Sequence, residues 1–262
     1  MAESRAVTKT NGGAVAPYNF DDDETGAGSE NVNKDWLVIS MIYILQANSP
    51  QVDSDDSEHI KGAKAGFIFN RGTRDIFNGK EGITFTPVYA DRKYVEWVPR
   101  ADGGGFVGSM TESEAKERFG TIPFGVFKTE DGNDIVETFY FYGIMVGDDG
   151  IPEKVVIPFK STQIKIFKSM ITVTTKAVQT SRGLVQPPMW LRRFHLSTVA
   201  DENKKGKFQS WAWELADGAK NCVVKKGTEE WDDAKAFSMS CREGASRADE
   251  ASGRNDEDSD GF

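Results

Sequence analysis

The chain has few of the residues from which most active sites are built. In 262 residues there are two histidines, His59 and His195, and two cysteines, Cys222 and Cys241. The cysteines lie 19 positions apart, show no CxxC spacing and are too few for a disulfide scaffold, so free buried thiols in a reducing compartment are expected. His59 sits in a polar, acidic loop. His195 lies in a strand-like pattern, where a satisfied structural histidine is the ordinary outcome. No HExxH, nucleophile elbow or P-loop is present. Gly103-Gly104-Gly105 is not followed by GK[ST] and is read as a mobile loop, with close backbone approach to a ligand as its alternative role. There is no apolar signal region at the amino end and no apolar run of 18 residues, which leads us to expect a soluble, cytoplasmic protein. A non-enzymatic protein is the expectation from these absences.

Charge is plentiful but unevenly placed. The formal net charge is −9, yet the stretch from Lys154 to Lys207 holds eleven basic residues against Asp201 and Glu202, a net of +9. The last twenty residues, from Glu243 to Phe262, carry seven acids against Arg247 and Arg254, a net of −5. An anion-binding body with acidic arms is the physical implication, since such arms repel competing anions or fold back over the basic surface.

Three parts follow from composition: an arm over 1–34, a body over 35–243 and an acidic tail over 244–262. The arm is rich in Ala, Gly, Asn, Asp and Glu, with Asp21-Asp22-Asp23-Glu24 at its middle. Neither it nor the tail can bury enough apolar surface to offset the entropy of ordering, so both are expected to be disordered. The body reads as mainly β. Trp36–Leu45 is apolar and β-branched, a strand by preference although periodicity leaves a helix open. Ile83–Tyr89 and Tyr94–Val98 read as a hairpin turning at Asp91-Arg92-Lys93. Val136–Val146 alternates, with Phe139, Phe141 and Met145 on one face and Tyr140 and Tyr142 on the other. It turns at Gly147–Gly150 into a strand around Val155–Ile157. Trp190–Thr198 and Phe208–Leu215 form a further pair. Two helices are expected, one capped by Ser161 and running to Lys176, the other starting at Thr228 and reaching Arg242. Short strands with frequent turns suggest an antiparallel barrel or sandwich.

Basic and aromatic residues interleave in three places. Tyr89, Arg92, Lys93, Tyr94 and Trp97 fall in the first strand region. Trp190, Arg192, Arg193 and Phe194 fall in another, and Lys204, Lys205, Lys207, Phe208, Trp211 and Trp213 in the next. Lys160, Lys165 and Lys168 precede them. Single-stranded nucleic acid is bound by this pair of groups: cations follow the phosphates, and flat side chains stack unpaired bases. The competing role for each aromatic is the core. Trp211 and Trp213 share a face by alternation, so both are core or both are surface.

The tail ends Asp256-Glu257-Asp258-Ser259-Asp260-Gly261-Phe262. Acid followed by a terminal aromatic resembles tailed-phage single-stranded-DNA-binding proteins. In the body, Glu96–Arg100 with Gly103–Gly108, and Ser161–Lys165, are similar to segments of phage early or replication proteins. The resemblance implies a five-stranded oligonucleotide-binding (OB-fold) barrel, often with an added helix, working in the cytoplasm of an infected host cell. It implies that Asp256, Glu257, Asp258, Asp260 and Phe262 recruit replication proteins such as a DNA polymerase or primase-helicase. It also implies that the tail competes with DNA for the basic groove, in replication and recombination. No cofactor, metal or membrane is implied, and a homodimer is left open. Two other readings stay open as well: a β-rich virion structural or accessory protein, and a regulator that binds host RNA polymerase through the acidic arms.

Overall fold

The computed structural model describes residues 27–29, 39–122, 125–147, 150–203, 206–218 and 222–244. Nearly all of the amino-terminal arm, the acidic tail with Asp256, Glu257, Asp258, Asp260 and Phe262, and the pair Lys204-Lys205 lie outside the described residues. The regular elements among the described residues belong to the unit Val38–Phe262.

The mainly β expectation is borne out in a curled half-barrel sheet, with three α-helices among the described residues. The strands are β1 (Ser40–Ile44), β2 (Ile68–Asn70), β3 (Ile76–Phe77), β4 (Ile83–Val98), β5 (Gly105–Met110), β6 (Phe127–Lys128), β7 (Asp134–Val146), β8 (Pro152–Lys160), β11 (Phe194–Asn203) and β12 (Gly206–Leu215). Strands β9 (Val178–Thr180) and β10 (Gly183–Val185) form a separate hairpin. The sheet order is β12-β11-β4-β7-β8-β1-β2-β3, with β5 added to β4 and β6 to β7. Pairing is antiparallel except between β1 and β8, which run parallel. The sheet is thus broader than the five strands that the resemblance implies.

Two long strands carry the sheet. Pro87 cannot donate a ladder hydrogen bond, and the β4–β7 register shifts by a bulge between Pro87 and Tyr89, where extra twist is introduced. Gly143 stands opposite Pro87, and a Cβ there would lie 2.4 Å from the Phe85 ring. The strands approach closely because that side chain is missing. The curl is pinned by a side chain acting as a strand. Gln46 Nε2 donates to the carbonyl of Gln209 at 2.9 Å, and the Gln209 N–H donates to Gln46 Oε1 at 2.8 Å. Beside it, Thr198 Oγ1 donates to the Gly66 carbonyl at 2.6 Å and the Thr198 N–H to the Gly79 carbonyl at 2.7 Å. The end of β1 is thereby tied to β12, and the segments flanking β2 and β3 are tied to β11.

The curl separates two cores. On the inner face, Ile42, Ile44, Phe85, Phe141, Phe159, Phe194, Leu196 and Trp211 pack around Phe167 and Met170 of α2 (Ile164–Thr174). On the outer face, Met41, Tyr43, Tyr140, Tyr142 and Val156 pack against Ala234, Phe237 and Cys241 of α3 (Glu229–Arg242). The alternation expected along β7 is therefore the division between these clusters. A third, smaller cluster of Tyr94, Ala115 and Ile135 seats α1 (Glu112–Phe119) on the far end of β4 and β7.

Several local expectations are corrected. Asp91-Arg92-Lys93 is not a turn: β4 runs straight through it, paired with Tyr140, Phe139 and Thr138 of β7. The triplet has neither Gly nor Pro, and β7 pairs with all three of its residues along one edge. Ser161 does not cap α2. It has φ +50° in a short 3-10 turn, and the helix starts at Ile164 without a side-chain cap. Trp190 lies in a 3-10 turn, and Arg192 and Arg193 precede β11. The expected start at Thr228 holds, with its hydroxyl accepting from the Trp231 N–H at 3.4 Å. Helix α1 was not anticipated, although Thr111 and Glu114 form a reciprocal capping box whose spacing is written in the sequence.

Candidate nucleic-acid interface

The structure sorts the basic residues by whether something inside the protein already answers them. Arg192 Nη1 donates to the carbonyls of Val173 at 3.0 Å and Thr174 at 3.4 Å, closing the carboxyl end of α2, where unpaired carbonyls and the helix dipole favour a cation. Arg193 pairs with Glu230 of α3 at 3.1 Å. Lys160 is only 6% exposed, opposite Thr138 at the end of β8, and does not face solvent. Lys93 is half-buried on the outer face, in a cleft of about 380 Å³ with Tyr89, Asp91, Glu114 and Tyr142. These four expected phosphate contacts serve internal electrostatics or lie away from the inner-face helix.

The exposed cations gather on α2. Lys165 and Lys168 project from it, and Lys176 lies just beyond its last turn. Lys165 meets Asp201 at 3.4 Å, a solvent-exposed pair of small worth. The Asp201 carboxyl is held below its usual range, first by the Glu202 backbone N–H and also by Lys165. No acid occurs in the sequence from Lys154 to Ala200, while Asp91 and Glu112 line a cleft together with Phe167 and Ile171 of α2. Lys207 is exposed on β12, across from Glu202.

The aromatics divide in the same way. Trp211 is 2% exposed and Tyr94 is buried, so neither offers a ring face to solvent. Burial, with Glu137 adding to it, raises the Tyr94 hydroxyl above its ordinary value. Tyr89 packs on Tyr142 at 5.8 Å under α3, and burial raises its hydroxyl too. Trp190 packs edge-on against Trp231, and Trp97 against Phe106. Trp213 is half-buried beside α2, packs on Phe194, and donates from Nε1 to Ser169 Oγ at 2.8 Å. Trp211 and Trp213 do share the inner face, as alternation requires, but only the latter reaches the rim.

One aromatic was missed. Phe139 belongs to the inner face of β7, where alternation assigns core. It lies on that face between the inner cluster and the smaller one around Ile135, and is only half-buried. Arg92 and Lys168 both stand over its ring, at 5.8 Å from the centroid. Arg92 is itself ion-paired with Glu112 and, at 3.3 Å, with Glu137. Only the folding of α1 back onto β4 brings Glu112 there, so no local pattern signals it.

Among the described residues, no group of three or more His, Cys, Asp or Glu side chains is placed to hold a metal ion. None of their helices is long and apolar enough to cross a membrane. The architecture is that of a β-rich body with a lysine-bearing helix set against the inner face of its sheet. The chain belongs to the Pam3 phage gp34-like family, whose profile matches residues 9–247, and is thus a phage protein. No curated protein matches the chain. No solved structure matches it either.

Proposed function

We propose that this phage protein binds single-stranded DNA without sequence preference or catalysis, and that its acidic tail recruits replication or recombination proteins in the infected cell. The observation that carries the reading is α2: it exposes Lys165 and Lys168 on an acid-free stretch of 47 residues and packs beside the half-buried ring of Trp213. Cations in that arrangement follow a phosphate backbone, and a ring at their edge stacks an unpaired base. The tail contributes from its sequence alone, with four acids from Asp256 to Asp260 and Phe262 as an apolar anchor. A titration with oligo-dT and with duplex of the same length tests the reading. Single strand is expected to bind much more tightly and to weaken steeply with salt. Equal affinity for duplex, or no binding at about 50 mM salt, refutes it. A virion protein would instead be abundant in purified particles, and a polymerase regulator would co-purify with host RNA polymerase from nuclease-treated extract. Deleting Glu243–Phe262 removes a net −5 and should raise single-strand affinity most at low salt. Removing Phe262 alone should leave DNA binding intact and abolish capture of the replication partner.

A further inference from the structure

A cleft of about 680 Å³ opens where the start of α1 faces α2 across β4 and β7. Its size falls in the range of roughly 300–1,000 Å³ typical of small-molecule sites. Its floor is apolar and flat: Phe139, with Ala90 and Ile171 beside it and Phe167 tilted against it at 4.8 Å. Its walls are polar. Thr111, Glu112, Ser113 and Lys116 come from α1 and its cap, Asp91 and Arg92 from β4. Lys168 closes over the ring from α2. An aromatic floor under a polar rim with three cations matches a ligand that has one flat face and one anionic group.

The charge arrangement shows where the anion would go. Glu112 pairs with Arg92 and, through its other oxygen at 2.6 Å, with Lys116. One carboxylate therefore sits between two cations, where a phosphate would bridge them. All three side chains are partly exposed, so a pairing of this kind is weak and exchangeable. A phosphate offers more acceptor oxygens and more charge than Glu112, and Arg binds it bidentately.

We infer that this cleft is a pocket for one unpaired base with its phosphate, in which Phe139 stacks the base and Glu112 occupies the phosphate position until the ligand displaces it. The choice of a nucleotide as the ligand rests on the single-strand reading above, while the pocket itself adjoins the exposed face of α2 and shares only Lys168 with it. Two substitutions act with opposite sign. Phe139→Leu removes the stacking surface while keeping an apolar floor. Glu112→Gln removes the competing charge between Arg92 and Lys116, and leaves Glu137 as the carboxylate on Arg92.

The test is titration of wild type, Phe139→Leu and Glu112→Gln with oligo-dT and with thymidine 5′-monophosphate, followed by chemical shift. Stacking of the usual strength makes Phe139→Leu weaken both ligands by at least about fivefold. Glu112→Gln should strengthen both, and should leave binding of uncharged thymidine unchanged. If Phe139→Leu fails to fold, a 5-iodo-deoxyuridine oligomer photocrosslinked to wild type must attach to the peptide that contains Phe139. Oligo-dT bound equally by all three proteins, with crosslinks elsewhere, overturns the pocket and leaves the single-strand reading standing. Thymidine monophosphate bound through Phe139, with the oligomer held no more tightly, leaves the pocket standing and overturns the single-strand reading. Binding of neither ligand overturns both.

Discussion

Replacing Lys165, Lys168 and Lys176 together by Gln separates a phosphate track from a merely basic surface. All three are exposed, and Gln matches Lys in helix propensity, so the triple variant should unfold within about 0.5 kcal/mol of wild type. If each lysine neutralises one phosphate, each contributes about 0.7 to the slope of log affinity against log salt on a single strand, and the three together about 2. Over the fourfold rise from about 50 to 200 mM salt, wild type should lose roughly twentyfold more affinity than the variant. Fluorescence anisotropy of a labelled dT oligomer at four salt concentrations measures both slopes. Arg192→Gln is the contrasting change. Its guanidinium is committed to the last carbonyls of α2, so the slope should be unchanged while stability falls by about 1.5–3 kcal/mol, the range for a hydrogen bond from a charged group. Equal slopes for wild type and the triple variant would refute the placement of DNA along α2. A reduced slope for Arg192→Gln would show that its cap is not its main role.

Three further outcomes follow from the fold. Gln46 is 5% exposed and satisfies both backbone groups of Gln209, so Gln46→Leu should cost about 2–4 kcal/mol through two groups left unpaired; a urea midpoint unchanged from wild type would show that the curl does not need this closure. The Glu96 carboxyl is held below the usual range, first by the hydrogen bond from Arg118 at 2.5 Å and then, against its burial, by Asn133. A depressed folded value means that this stabilisation is fully present above the ordinary carboxylate range and is lost as pH falls through the folded value. Acid titration of stability should therefore be shallower in Glu96→Gln, and an identical profile would count against the pairing. Burial pushes the Cys241 thiol up to about 12, so iodoacetamide at about pH 8 should spare it in the folded protein and modify it after unfolding; rapid native modification would mean that α3 does not stay docked on the sheet.

The alternation of Phe139, Phe141 and Met145 against Tyr140 and Tyr142 was legible in the sequence because a strand's two faces are set by neighbouring residues alone. The hairpin of β11 and β12 and the start of α3 at Thr228 were legible for the same reason: turns and caps are local. The acid-free, lysine-bearing stretch and the acidic tail were also plain, since net charge is additive along a chain. What became of each charge was not. Arg192 serves a helix end 18 and 19 residues behind it, Arg193 a carboxylate 37 positions ahead, and Arg92 a helix that begins 20 positions later. Asp91-Arg92-Lys93 is strand because β7 lies alongside it, and Gln46 replaces a strand because Gln209, 163 residues away, is brought to it. The sequence determined the supply of cations, rings and strands. Only the tertiary structure decided which cations were consumed inside the protein and that Phe139 stands half-open beneath two of them, because electrostatic partners are chosen by distance in space and not along the chain.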